Sequence, residues 1–112
     1  MANYNKVILM GNLTRDPELK YTPQGTSVCT FSIAFNEKRK EVEKTHFFDC
    51  EAWSKTAELI TQYLKKGDQV CVDGRLDYNS WDDQTGNKKS KIKIVVDKIQ
   101  FLQKTGGGNG DN

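Results

Sequence analysis

Hydrophobic and polar positions alternate in short stretches along most of this chain, and only one segment changes to a helical period. Lys6 to Leu13 reads as a first strand. It runs into TRDPELKYTPQGTS, where Pro17, Pro23 and Gly25 break any continuous ladder. Val28 to Asn36 places Phe31, Ile33 and Phe35 on one face at period two, which predicts a second strand. A loop over residues 38 to 44 leads to a third strand, THFFDCEAW. In SKTAELITQYLKKG, Ala57, Ile60 and Leu64 fall on one helical face beside Leu59 and Tyr63; Ser54 is the expected N-cap and Gly67 the expected C′ stop. A fourth strand from Gln69 to Tyr78, a loop carrying Trp81, and a fifth strand from Ser90 to Leu102 complete the body. Residues 105 to 112, TGGGNGDN, hold no side chains able to build a core and read as a disordered Gly-rich tail to a single domain over residues 1 to 104.

Three strands, one helix and two strands in about a hundred residues is the order of an OB-fold, a five-stranded Greek-key barrel with its helix between strands three and four. Pattern alone leaves an SH3-like barrel or a small α+β sheet in play, and the helix position favours the OB-fold.

The third strand adds chemistry to that frame. Phe47 and Trp53 share parity six residues apart, so on an unbulged strand they project from the same face, about 20 Å apart at ~3.3 Å per residue. The opposite parity, Phe48, Cys50 and Ala52, suits a core. Were Phe47 and Trp53 the core face instead, Asp49 and Glu51 would be buried with them, and buried carboxylates without partners are expensive. Trp81 lies in YNSWDDQTGN, where Tyr78 is the one apolar neighbour within three positions; an indole in such surroundings belongs on the surface and marks a contact face. Lys88, Lys89, Lys91 and Lys93 follow closely. A π-face for each base and cations for the phosphates is what a single-stranded nucleic acid requires.

Composition narrows the setting. At 112 residues there is room for one small core, and no apolar run approaches the ~20 residues of a bilayer span, so membrane roles drop out. The apolar run Val7 to Met10 is too short for a secretory signal, which points to the cytoplasm. Cys29, Cys50 and Cys71 form no C-x-x-C pair and leave an odd count, against both a disulfide framework and a zinc knuckle; each reads as a small hydrophobe in a strand. A net charge of +2 does not by itself announce a polyanion binder, but its distribution is uneven: KRKEVEK at 38 to 44 and the lysines after residue 86 are locally basic. No cofactor is called for. An enzyme is not expected, since the one histidine, His46, has no H-E-x-x-H, G-x-S-x-G or G-K-[ST] context and reads as an ordinary strand residue.

The run NKVILMGNLTRDPELKYTPQGTSVCTFSIAFN, from Asn5 to Asn36, closely resembles the opening of bacterial-type single-stranded DNA-binding proteins, with the NKV-x-L-x-GNL start, the DPE of Asp16 to Glu18 and the Tyr21 to Gly25 turn. The likeness continues through Tyr63 to Gly67, Gly74, Leu76 and Trp81 to about Leu102. It implies an OB-fold that binds single-stranded DNA with little sequence preference, as a nucleoid-associated homotetramer serving DNA replication, recombination and repair. The family's stacking positions fall on Phe47, Trp53 and Trp81, and its phosphate-contacting lysines match Lys6, Lys55 and Lys66. An aromatic that some members carry falls at about Arg39, whose guanidinium can still stack. The lysine run adds Lys88 and Lys91 to the expected DNA contacts.

Two departures stand beside these matches. Asp49 sits where the family can place a basic residue, and a carboxylate there is expected to weaken phosphate contact. The acidic, apolar-tipped tail through which the family docks replication and repair proteins has no match in GGGNGDN, so such partners are expected only if a longer natural C-terminus exists. The rival reading is an RNA-binding or protein-interaction OB-fold module, since the fold hosts many ligands. The clustered K-G-F-G-F and F-V-H-F aromatics of cold-shock-type RNA binders are missing here.

Overall fold

The computed structural model describes residues 4 to 103, so the expected Gly-rich tail at 105 to 112 lies outside the described residues. Six strands and one helix run in the order β1 (Val7–Leu13), β2 (Glu18–Tyr21), β3 (Ser27–Arg39), β4 (Val42–Trp53), α1 (Ser54–Tyr63), β5 (Gln69–Asp82) and β6 (Lys88–Gln103). The sheet order is β1-β5-β6-β4-β3-β2, and a second pairing of β1 with β3, Asn12 opposite Ala34 and Leu13 opposite Ile33, closes the five long strands into a barrel. The β4–β6 contact is the parallel one, Cys50 beside Ile94. This is the OB-fold expected from the element order, with the helix between the third and fourth barrel strands.

Strand alternation builds the core. Cys29, Phe31 and Ile33 of β3, Cys50 and Ala52 of β4, Val70 and Val72 of β5, and Ile94 and Val96 of β6 all point inward and are buried. Helix α1 plugs the barrel with Ala57, Ile60 and the following Leu64, the face its sequence period marks. Gly74 is required by close packing rather than by its dihedral angles: it sits at a register shift between β5 and β6, and a Cβ there would collide with the backbone carbonyl of Val95.

Four local expectations are corrected. The segment after β1 does form ladder structure, because β2 pairs with Ser27 to Thr30 of β3 before the turn at Thr22–Gly25, where Gly25 takes φ 89°. The stretch over 38 to 44 is not an open loop: β3 and β4 stay paired out to Arg39 opposite Val42. Ser54 is not the N-cap. Trp53 holds that position with extended geometry and no side-chain cap, and Ser54 is the first helical residue at φ 57°, its carbonyl accepting from the buried Ser27 hydroxyl at 3.1 Å. Gly67 does not stop the helix either. The helix gives way at Leu64, which is extended, and Gly67 at φ 94° forms the next turn, where the Asp68 amide donates to the Lys65 carbonyl and the Gly67 amide to Leu13.

Candidate nucleic-acid interface

Strand β4 crosses the outer face of the barrel between β3 and β6. Its even positions, Cys50 and Ala52, are buried, and Phe48 packs half-buried against the core with its ring stacked on Phe35. The odd positions face outward in the order Phe47, Asp49, Glu51, Trp53, with Phe47 67% and Trp53 43% exposed. Burying that face would strand both acids, and the fold resolves the choice as the residue types demand.

Trp81 is on a strand, not in a loop. β5 and β6 continue beyond the barrel as a two-stranded arm, Trp81 opposite Lys89 and Asn79 opposite Lys91, and the arm ends in the turn at Asp83–Asn87. Asp83 ties that turn: one carboxylate oxygen accepts from the Thr85 amide at 2.9 Å, the Thr85 hydroxyl at 2.7 Å and the Asn87 amide at 2.9 Å. Those hydrogen bonds, that from the Thr85 hydroxyl foremost, hold its carboxyl below the ordinary value of 3.8. The Trp81 indole is 48% exposed and looks across the same outer face as β4.

Between the arm and β4 lies a groove of about 280 Å³, floored by Phe31 and Cys50 and walled by Trp81, Asn79, Lys91 and Lys93 on one side and Asp49, Glu51 and Arg15 on the other. Its polar groups are ordered. The Ser32 hydroxyl donates to Asp49 at 2.8 Å, and Lys91 lies 3.6 Å from the other Asp49 oxygen. Lys93 sits 3.1 Å from Glu51 and 4.0 Å from Asp77, while the Trp53 indole N–H donates to the remaining Glu51 oxygen at 3.1 Å. That last bond fixes the orientation of the Trp53 ring on the strand.

The structure therefore brings Phe47, Trp53, Trp81 and Lys91 onto one face of the barrel and arm. It places the other sequence-expected cations elsewhere. Lys88, opposite Asp82, is on the reverse side of the arm by strand alternation. Lys6 pairs with Asp73 at 3.0 Å where β1 meets β5, and that carboxylate raises its pKa. Arg39 is at the β3–β4 hairpin tip near Glu37, Lys55 is exposed at the start of α1, and Lys66 is exposed beside the loop after β1, its amide donating to Asp16 at 2.8 Å. None of these lines the groove. Arg15, which does, is inconspicuous in the sequence because Asp16 and Glu18 mask its charge locally. His46 accounts for itself structurally, stacked on Phe35 and 3.0 Å from Glu37. The described residues hold no cluster of acidic, histidine or cysteine side chains placed to bind a metal, and no helix long and apolar enough to cross a membrane.

Known proteins share this architecture and sequence. A relative from Borreliella burgdorferi, named single-stranded DNA-binding protein, is 49% identical over 91% of this chain and 72% of its own length. One of the same name from Treponema pallidum is 46% identical over 96% of this chain, which spans 63% of that protein. Among solved structures, a Plasmodium falciparum SSB in complex with ssDNA superposes with a TM-score of 0.83 at 28% identity, covering 92% of this chain and 98% of that one. The model of the single-strand binding protein family matches residues 4 to 102. With nearly every described residue inside that match, this chain belongs to the single-strand binding protein family.

Proposed function

We propose that this chain is a non-catalytic binder of single-stranded DNA that protects exposed strands during replication, recombination and repair, in the cytoplasm at the nucleoid. The observation that carries the proposal is the one outer face that holds Phe47, Trp53 and Trp81, all substantially exposed, beside a groove with Arg15, Lys91 and Lys93. Bases have π-faces whatever their identity, so such plates give affinity with little sequence preference, and the cations meet the backbone. Lys6, Arg39, Lys55, Lys66 and Lys88 lie off the groove and serve, in this reading, a strand that continues around the protein. A competition assay between matched poly-dT and poly-U tests it: poly-dT wins, whereas a clear preference for poly-U would make the chain an RNA-binding module.

The same reading includes a homotetramer. Along β1, Ile8 and Met10 are 60% and 55% exposed, and β5 pairs with Val7 to Asn12 on one side while β3 reaches only Asn12 and Leu13 on the other. An apolar strand with an open edge is a template for a second copy. Light scattering at micromolar concentration is expected to return about four times the 12.7 kDa chain mass; a monomer would refute the assembly and leave the binding face standing. Recruitment of replication and repair proteins is proposed only for a chain with a longer, acidic C-terminus.

A further inference from the structure

Every lysine that lines the groove already has a carboxylate partner within the chain. Lys91 is held by Asp49 and Lys93 by Glu51 with Asp77 behind it, and next to them on the arm Lys89 lies 3.9 Å from Asp83. The acids are themselves positioned, Asp49 by the Ser32 hydroxyl and Glu51 by the Trp53 indole. Arg15 is the exception, with no ion pair among the described residues. Because β4 alternates, Asp49 and Glu51 stand on its outer face between Phe47 and Trp53.

We propose that Asp49 and Glu51 are resident counter-ions of the DNA groove: they occupy Lys91 and Lys93 in the free protein, leave Arg15 as the free cation among the described groove residues, and so make single-strand binding less dependent on salt. This rests on the proposed DNA-binding role. The reason is an ion balance. A free lysine that meets a phosphate releases that phosphate's condensed cation, which contributes about 0.7 to the slope of log affinity against log salt for a single strand. A lysine taken from a carboxylate releases the same cation but exposes a carboxylate that attracts one back, so the net release falls toward zero. Lys91 and Asp49 are both half-exposed, so phosphate can displace this pair; Lys93 and Glu51 are more enclosed, 28% and 16% exposed, and hold more firmly. Affinity then rests on stacking, with Arg15 as the groove's main salt-sensitive contact.

The test is titration of poly-dT into the full chain from 50 to 200 mM salt, followed by tryptophan fluorescence, for the parent, Asp49→Asn, and Asp49→Asn with Glu51→Gln. The amides keep the acceptors for Ser32 and for the Trp53 indole and remove only the charges. The slope is expected to steepen by about 0.7 in the single variant and by up to about 1.4 in the double, so that over this fourfold range the double loses up to about sevenfold more affinity than the parent. Lys91→Gln is expected to leave the parent slope nearly unchanged and to reduce the slope of Asp49→Asn by about 0.7, a coupling that a purely structural role for Asp49 would not produce. Equal slopes in parent and double variant, or an equal effect of Lys91→Gln in both backgrounds, would overturn the counter-ion role while leaving DNA binding intact. A parent that fails to bind poly-dT at all would remove both proposals.

Discussion

Phe31 and Phe47 lie on neighbouring strands and face opposite ways, so the same truncation at each separates packing from binding. Phe31 is 1% exposed in the centre of the barrel, whereas Phe47 is 67% exposed on the outer face. Phe31→Ala removes a fully buried ring and leaves a cavity that rigid strands cannot collapse, at about 3–5 kcal/mol. That is a large part of the 5–15 kcal/mol that holds a typical domain together, and it lowers the melting temperature by roughly 12 °C or more. Fully burying a phenylalanine contributes about 1.5–3 kcal/mol, and Phe47 hides only a third of its surface, so Phe47→Ala costs about 0.5–1 kcal/mol of stability. Its effect on binding is the reverse, a loss of about 1–3 kcal/mol for one stacked base. Phe48, on the parity that suits a core, is half-covered, so its truncation falls between the two. The assay is thermal unfolding by circular dichroism at one fixed protein concentration, since assembly shifts apparent stability, with poly-dT titrations below the melting range. Equal melting losses for Phe31→Ala and Phe47→Ala would mean that the outer face of β4 is packed, and the interface would have to be sought elsewhere.

Gly74→Ala is expected to unfold the barrel or force β5 off β6, because the added methyl meets the Val95 carbonyl rather than a movable side chain; a variant that melts like the parent would refute the close approach. Cys29 and Cys50 should label with a thiol reagent only after denaturation, since burial raises both thiols, Cys50 to about 12; labelling of either in the native protein would contradict the core assignment. The folded-state pKa of Asp83 is lowered, so its contribution to the arm tip is fully present above the ordinary value of 3.8 and is lost as pH falls through the lower folded value. NMR of the Thr85 and Asn87 amides against pH should show their hydrogen bonds failing in that acid range, and unchanged signals would show that the turn holds without the charge.

How much of this was legible in the sequence depends on whether burial left a period to read. β3 and β4 each have one buried face, so alternation located Phe31 and Ile33 inside and Phe47 and Trp53 outside. The arm that carries Trp81 leaves the barrel with solvent on both sides, so no hydrophobic alternation marks it and its residues read as a loop. The same holds for the β3–β4 tip around Arg39. β2, four residues long with one partner strand, is too short for its period to stand out against Pro17 and Pro23. Arg15 and Asn79 reach the groove through tertiary placement alone, Arg15 from the loop after β1 and Asn79 from the arm. The charge pairing of Lys91 and Lys93 is likewise a cross-strand property, since their partners lie some forty residues away along the chain.

The central claim is that one outer face, built from β4 and the β5–β6 arm, stacks the bases of single-stranded DNA. Tryptophan fluorescence during a poly-dT titration tests it most directly, because the chain's two tryptophans, Trp53 and Trp81, both lie on that face. Binding is expected to quench the emission, each of Trp53→Ala and Trp81→Ala to shrink the quench and weaken affinity by about 1–3 kcal/mol, and both variants, their indoles being partly exposed, to lose less stability than Phe31→Ala. Poly-dT binding with no quench, or tryptophan variants that bind normally and only melt earlier, would place the DNA on another surface.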